Sequence, residues 1–152
     1  MANEKKLKLN GFKFQPFSKK QLKVLSWAME GSPTEDKYML VADGSIRSGK
    51  SLTMSLAFVL WSMTNFNGMN FAITGKSSGA VRRNIIGTLK QMLLTLGYDF
   101  VDHRADNYLE ITKGEVTNIY YIFGGKDESS QDLVQGLTLA GAFLDKLFCR
   151  AI

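Results

Sequence analysis

The chain is poor in the residues that staple small proteins or build metal centres. Its 152 residues include one cysteine, Cys149, and one histidine, His103. A disulfide framework and a Cys-rich zinc site both need several cysteines, so both are excluded. A His-clustered metal centre or a Cys–His dyad lacks its material in the same way. With only two prolines and no long polar tract, the chain does not have the composition of a disordered protein. No apolar run approaches the ~18 residues that a membrane-spanning helix needs. The longest, Leu52 to Met63, is interrupted by Thr53, Ser55 and Ser62. The N-terminal Met1-Ala2-Asn3-Glu4-Lys5-Lys6 is charged and leads into no apolar secretory segment, which points to an intracellular protein without membrane contact.

What is present fits one globular α/β domain. Hydrophobic residues make up 45% and charged residues 22% of the chain, an ordinary balance for a packed core of this length. Lys and Arg number 19 against 14 Asp and Glu, and the excess of +5 suits a polyanionic partner. The basic start from Lys5 to Lys20 carries six lysines among Phe12, Phe14 and Phe17. Ser18 then opens a helix with Leu22, Leu25 and Met29 on one face and Gly31 as its stop. Tyr38 to Ala42 reads as a buried strand, Leu52 to Thr64 as a buried helix, Asn70 to Thr74 as a second strand and Gly75 to Gly79 as a turn. Val81, Ile85, Leu89, Met92 and Leu96 recur at helical spacing, ended by Gly97. Tyr108 to Ile111 and Val116 to Phe123 flank Lys113-Gly114 as a hairpin, and Leu139 to Leu144 is a last apolar strand. Strands alternating with helices predict a largely parallel sheet.

The segment Gly44-Ser45-Ile46-Arg47-Ser48-Gly49-Lys50-Ser51 fits the pattern G-x-x-x-x-G-K-[ST]. Glycines let the backbone curl around an anion so that successive amide N–H groups point inward, and the following helix adds its positive end. In such a loop Lys50 reaches the β and γ phosphates and the Ser51 hydroxyl ligates magnesium. The match follows a predicted strand and opens a predicted helix, as that chemistry requires, so it predicts a site for ATP with Mg2+. A loop of this kind also needs an acid at the end of another apolar strand to complete the metal shell. Leu139-Ala140-Gly141-Ala142-Phe143-Leu144-Asp145 supplies one in Asp145, which could alternatively cap a helix.

Together these residues resemble the N-terminal ATPase region of the large terminase subunit of tailed bacteriophages, the motor that packages DNA into the procapsid. The resemblance is carried by Phe17-Ser18-Lys19-Lys20-Gln21, by the loop from Gly44 to Ser51, and by Gly124-Gly125-Lys126-Asp127 leading through Gln135-Gly136-Leu137-Thr138 to Asp145. It implies a P-loop NTPase of the RecA-like, additional-strand class whose largely parallel sheet is incomplete at the C-terminus. It implies one ATPase domain over 1–152, with a basic, helical segment at 1–36 and a core at 37–152; the nuclease domain of full-length family members is expected to be absent. By the same resemblance Gln21 reads the adenine edge, although Ser18-x-x-Gln21 is also a capping box. Arg47 acts as an internal arginine finger or lies solvated on the loop. Double-stranded DNA, the portal protein, the small terminase subunit and further copies of the chain in a ring are the implied partners, in the host bacterial cytoplasm.

The chain also departs from that family within the site itself. ATPases of this class put a glutamate after the strand acid to polarise the attacking water, and here the position is Lys146. Lysine cannot accept a proton at neutral pH, so a nucleotide-binding remnant without catalysis is the rival reading. Glu128 and Glu115 are the alternative sources of a carboxylate. A RecA-like helicase is a third reading. A small-molecule kinase is thinly supported, since its lid needs several arginines and the chain holds five in all. Arg82 and Arg83 fit the polar face of the Val81–Leu89 helix, His103 a surface loop, and Cys149 a free thiol.

Overall fold

The computed structural model describes residues 13–43, 49–126 and 135–145. Within them lie four helices and five strands in the order α1 (Lys19–Leu25), α2 (Lys50–Asn65), β1 (Asn70–Gly75), α3 (Ser78–Val81), a π turn (Arg82–Ile86), α4 (Gly87–Thr95), β2 (Asp99–His103), β3 (Tyr108–Lys113), β4 (Val116–Gly124) and β5 (Gly141–Leu144). The sheet runs β2-β3-β4-β1-β5. β1 pairs in parallel with both β4 and β5, whereas β2, β3 and β4 form an antiparallel meander. The expected α/β fold is present, but the sheet is mixed and not largely parallel. The cause is local. Gly114, at φ +60°, lets the chain reverse in two residues between Lys113 and Val116, and a turn that tight can only join antiparallel strands.

Strand register gathers Phe71, Ile73, Leu109, Ile111, Tyr120, Ile122 and Phe143 into one buried cluster. Against it pack Leu56, Val59 and Met63 of α2 and Val81, Ile85, Ile86, Leu89 and Leu93 of the helix that follows β1. Phe71 stacks on Tyr120 with ring centroids 5.3 Å apart, and Phe58 meets Phe71 edge-on at 5.7 Å. The Tyr120 hydroxyl shares a 2.6 Å hydrogen bond with Ser62, which relieves an otherwise costly burial. Burial pushes the Tyr120 phenol well above its usual range, against the opposing effect of that bond. Asn118 is equally buried and satisfied. Its Oδ1 accepts from the Met69 N–H at 3.0 Å and its Nδ2 donates to the Phe66 carbonyl at 3.0 Å, fastening the end of α2 to the start of β1.

Several expectations need correction. Tyr38 to Ala42 is neither a strand nor buried: Tyr38 is 95% exposed, Met39 68% and Val41 79%. Apolar character alone does not make a strand, and the described sheet is built from β1 to β5 without this segment. α1 ends at Leu25 and not near Gly31, and Leu22 and Met29 face solvent. The turn expected over Gly75 to Gly79 is shorter, because Ser77 caps α3 by accepting from the Ala80 N–H at 3.2 Å. Asp99 to His103 is a strand, so His103 lies in β2, with its ring stacked on Tyr108 at 4.3 Å, and not in a surface loop. Cys149 lies outside the described residues.

Arg82 does more than cover a polar helix face. Its Nη1 donates to Asp102 Oδ1 at 2.8 Å, Lys90 binds the other oxygen, and Arg104 Nε approaches it at 3.4 Å. This ties the π turn and α4 to the edge strand β2. Arg83 remains exposed, as expected of the polar face. Burial raises the Asp102 pKa, but the hydrogen bonds from Lys90 and Arg82 outweigh it and hold the carboxyl below its ordinary value. A depressed carboxylate stabilises the fold above its unfolded pKa of about 3.9 and loses that contribution as pH falls through the folded value. Asp102→Asn is therefore expected to cost about 2 kcal/mol at pH 7, mostly by leaving the half-buried Arg82 and Lys90 unpaired. In urea unfolding, the gap from the parent chain is expected to close below about pH 4.

Candidate functional site

The carboxyl ends of the three parallel strands meet at one edge of the sheet. Gly75 ends β1 opposite Gly124 of β4, and Leu144 of β5 pairs with Thr74. Two backbone bonds extend the alignment past the strand ends. The Asp145 N–H donates to the Thr74 carbonyl at 2.9 Å, and the Gly125 N–H donates to the Gly75 carbonyl at 2.9 Å. Asp145 is thereby held by backbone at the end of β5, beside the central strand.

The start of α2 faces the same edge. Gly49 precedes the helix at φ +73°, a left-handed conformation that is cheap for glycine and strained for other residues. Its carbonyl accepts from both the Thr53 N–H at 3.0 Å and the Thr53 hydroxyl at 2.9 Å, which closes the first turn. Ser51 then sits in that first turn and its Oγ donates to Asp145 Oδ1 at 2.5 Å. Two residues 94 positions apart are thus brought into direct contact, as the reading of Ser51 and Asp145 as a metal-holding pair requires. Lys50 opens the same helix turn.

Gln21 joins the site from α1. Ser18 Oγ accepts from the Gln21 N–H at 3.3 Å, and Gln21 Oε1 accepts from the Ser18 N–H at 2.8 Å, so the capping box is formed. The other end of the same amide reaches the loop: a Cβ built on Gly49 would lie 3.2 Å from Gln21 Nε2. The two readings of Gln21 are therefore compatible in space. Gly44, Ser45, Ile46, Arg47 and Ser48 lie outside the described residues, as do Glu128 and Lys146. Glu115 does not reach the site. It stands exposed in the β3–β4 turn, and the length of β4 places it on the order of 25 Å from Gly124.

The residues present suit a nucleotide with magnesium. Magnesium is commonly held by one or two carboxylates, water and substrate phosphates, not by an all-protein cage. One carboxylate and one hydroxyl in contact provide the protein share, and no group of three or more His, Cys, Asp or Glu side chains able to hold a metal occurs among the described residues. The N-terminus of α2, sixteen residues long, adds an electropositive end. Sequence reasoning missed Gly75. A Cβ there would stand 2.6 Å from Val81 Cγ2, so α3 can close on the strand end only over glycine. The signal was legible, since Gly75 follows an apolar strand and precedes Ser77, a helix-capping residue. Lys76 and Lys126, each just beyond its strand, leave exposed positive charge at this edge.

Solved structures of the large terminase from a thermophilic bacteriophage are similar to this chain. Its crystal form 2 matches with a TM-score of 0.84 and 60% sequence identity over 86% of this chain and 32% of that one. The complex of that terminase with ADP matches with a TM-score of 0.80 and 58% identity, covering 85% of this chain and 32% of that one. Its complex with ATP-gamma-S matches at 0.78 and 53%, covering 86% and 31%. The chain thus spans about a third of the length of these proteins. No protein-family model and no curated protein matches it.

Gly49→Ala tests how finely the site is built. It adds a left-handed strain of about 1–2 kcal/mol and presses a methyl group against the Gln21 amide. The variant is expected to unfold at lower urea concentration than the parent chain and to shift the intrinsic fluorescence of Trp27, which follows α1.

Proposed function

This chain belongs to the bacteriophage large terminase family, and we propose that it binds ATP with magnesium as the ATPase part of the motor that drives viral DNA into the procapsid. The observation that carries the reading is the contact of Ser51 with Asp145, which joins the end of a phosphate-loop pattern to a strand-end acid. The ADP and ATP-gamma-S complexes of the thermophilic phage protein support it. In this reading the fold is a P-loop NTPase of the RecA-like class. Residues 1–36 form the basic, helical entry and 37–152 the core.

Each residue has a role. The backbone from Gly44 to Gly49, with Ser45, Ile46 and Ser48 between, wraps the phosphates with N–H groups, and Lys50 binds the β and γ phosphates. Arg47 steadies charge on the γ phosphate as an internal finger. Gln21 faces the base. Ser51 and Asp145 hold magnesium, which when bound neutralises charge on the phosphate oxygens. Double-stranded DNA is the polyanion that the +5 excess suits. The portal protein, the small terminase subunit and further copies in a ring complete the assembly, in the host cytoplasm. No helix among the described residues is long and apolar enough to cross a membrane.

Lys146 favours binding over fast turnover. It follows Asp145, where a proton acceptor is wanted, and brings positive charge instead. General-base help with water contributes about 10²- to 10⁴-fold in such reactions. Slow single-turnover hydrolysis by the parent chain is expected, with a gain in Lys146→Glu. Fast hydrolysis by the parent, or no gain in a folded, ATP-binding variant, would defeat this account of catalysis.

Lys50→Ala tests the binding itself. It removes a charge-assisted contact to the phosphates, and calorimetry is expected to show binding of ATP with magnesium abolished. Equal affinity in variant and parent would sink the phosphate-loop assignment.

A further inference from the structure

One carboxylate at the end of β2 serves three cations, and it does not hold them equally. Asp102 gives one oxygen to Arg82 Nη1 at 2.8 Å and the other to Lys90, while Arg104 Nε stands at 3.4 Å. Arg82 Nη2 is buried without a hydrogen-bond partner, so acceptors are short around this carboxyl. The Arg82 and Lys90 side chains are 18% exposed, whereas that of Arg104 is 79% exposed. Arg104 is therefore tethered through Nε and turns the fork of its two terminal nitrogens to water. That fork matches the oxygens of a phosphate.

β2 is antiparallel to β3 and β3 to β4, so β2 ends at the same edge of the sheet as β4, β1 and β5. Exposed cations follow three of these strand ends: Arg104 after β2, Lys126 after β4 and Lys76 after β1. Arg83 joins them from the π turn, folding back until its Nη1 would lie 3.5 Å from a Cβ built on Gly79, in α3. Exposed Asp106, in the β2–β3 turn, offsets one of these charges. A strand spacing of about 4.8 Å puts the end of β2 about 14 Å from that of β1 and about 19 Å from that of β5. The row is too wide for a single phosphate, and Arg104 lies beyond a nucleotide whose phosphates are held at Ser51 and Asp145. We infer that this edge takes the phosphate backbone of a nucleic acid duplex, with Arg104 gripping one phosphate. The inference deepens the reading proposed above, because it names the surface that the DNA partner uses, and it rests on that partner.

Fluorescence anisotropy of a short labelled DNA duplex, titrated with the parent chain and with Arg104→Ala over a series of salt concentrations, reads the result. Each phosphate contact adds about 0.9 to the slope of log affinity against log salt. The variant is expected to lose about that much slope, and hence about eightfold in affinity at 0.1 M salt. The loss is expected to be the same on duplexes of different sequence, since a backbone contact carries no base information. Calorimetry is expected to show ATP with magnesium binding the variant as it binds the parent. Lys113→Ala removes the same charge at the opposite end of β3 and is expected to keep the parent's slope. Equal slopes in Arg104→Ala and the parent overturn the inference. An equal fall in Lys113→Ala also overturns it, because net charge would then be the cause. So does a matching loss of ATP binding, which would assign Arg104 to the nucleotide site or to the fold. If the parent binds ATP but no duplex, the DNA partner falls with the inference while the nucleotide site stands. If it binds the duplex but not ATP, the nucleotide site falls and the slopes still decide this inference.

Discussion

Everything in this fold is arranged around a central strand with no free edge. β1 has β4 on one side and β5 on the other, both parallel to it, and Phe71 and Ile73 on it are fully buried. Parallel neighbours cannot be joined by tight turns, so the chain must travel back to the starting end before each of them. The first return runs through α3, α4 and the β2–β3 meander. The second crosses from β4 past β1 to β5. The same constraint sends all three carboxyl ends to one edge. Gly75, Gly124 and Asp145 are neighbours because their strands run in the same direction, and the candidate site lies where an open sheet of this kind offers a crevice.

Much of this is legible in the residues. The loop pattern and the apolar strand leading to Asp145 point to both halves of the candidate site, because each depends on a residue whose chemistry has few substitutes. A left-handed Gly49 and a hydroxyl at Ser51 leave marks in sequence. α2 and the helix ended by Gly97 are equally clear, since long apolar periodicity has one interpretation at that length. Tyr38 to Ala42 misleads because an apolar pentapeptide says what a strand would look like, not whether a neighbour exists to bond it. β2 is easily passed over because Asp102 and His103 give it a polar look. Asp102 turns inward to meet Arg82 and Lys90, a pairing across 20 and 12 positions that no local pattern announces. The mixed sheet is hidden for the same reason, since alternation of strands and helices does not count how many strands fall between two helices.

Two of the polar contacts that brace the fold work differently. Asn118 uses both ends of its amide on backbone groups left over by the end of α2 and the start of β1, so its value is geometric and does not depend on pH. Asp102 gathers three cations, and its value depends on remaining ionised. One device sets where elements begin and end, and the other holds the outer helix to the outer strand. Neither lies near Ser51 in sequence.

The exposed stretch from Tyr38 to Val41 has a bearing on how the protein behaves in a tube. Apolar side chains that water must surround attract one another between molecules. The net charge of +5 opposes such encounters through mutual repulsion. That repulsion acts over a Debye length that shrinks from roughly 30 Å at 0.01 M salt to about 3 Å at 1 M, while the apolar attraction persists. Colloidal behaviour is then governed by ionic strength: dilute buffer keeps molecules apart, and added salt lets the apolar stretch set the contacts.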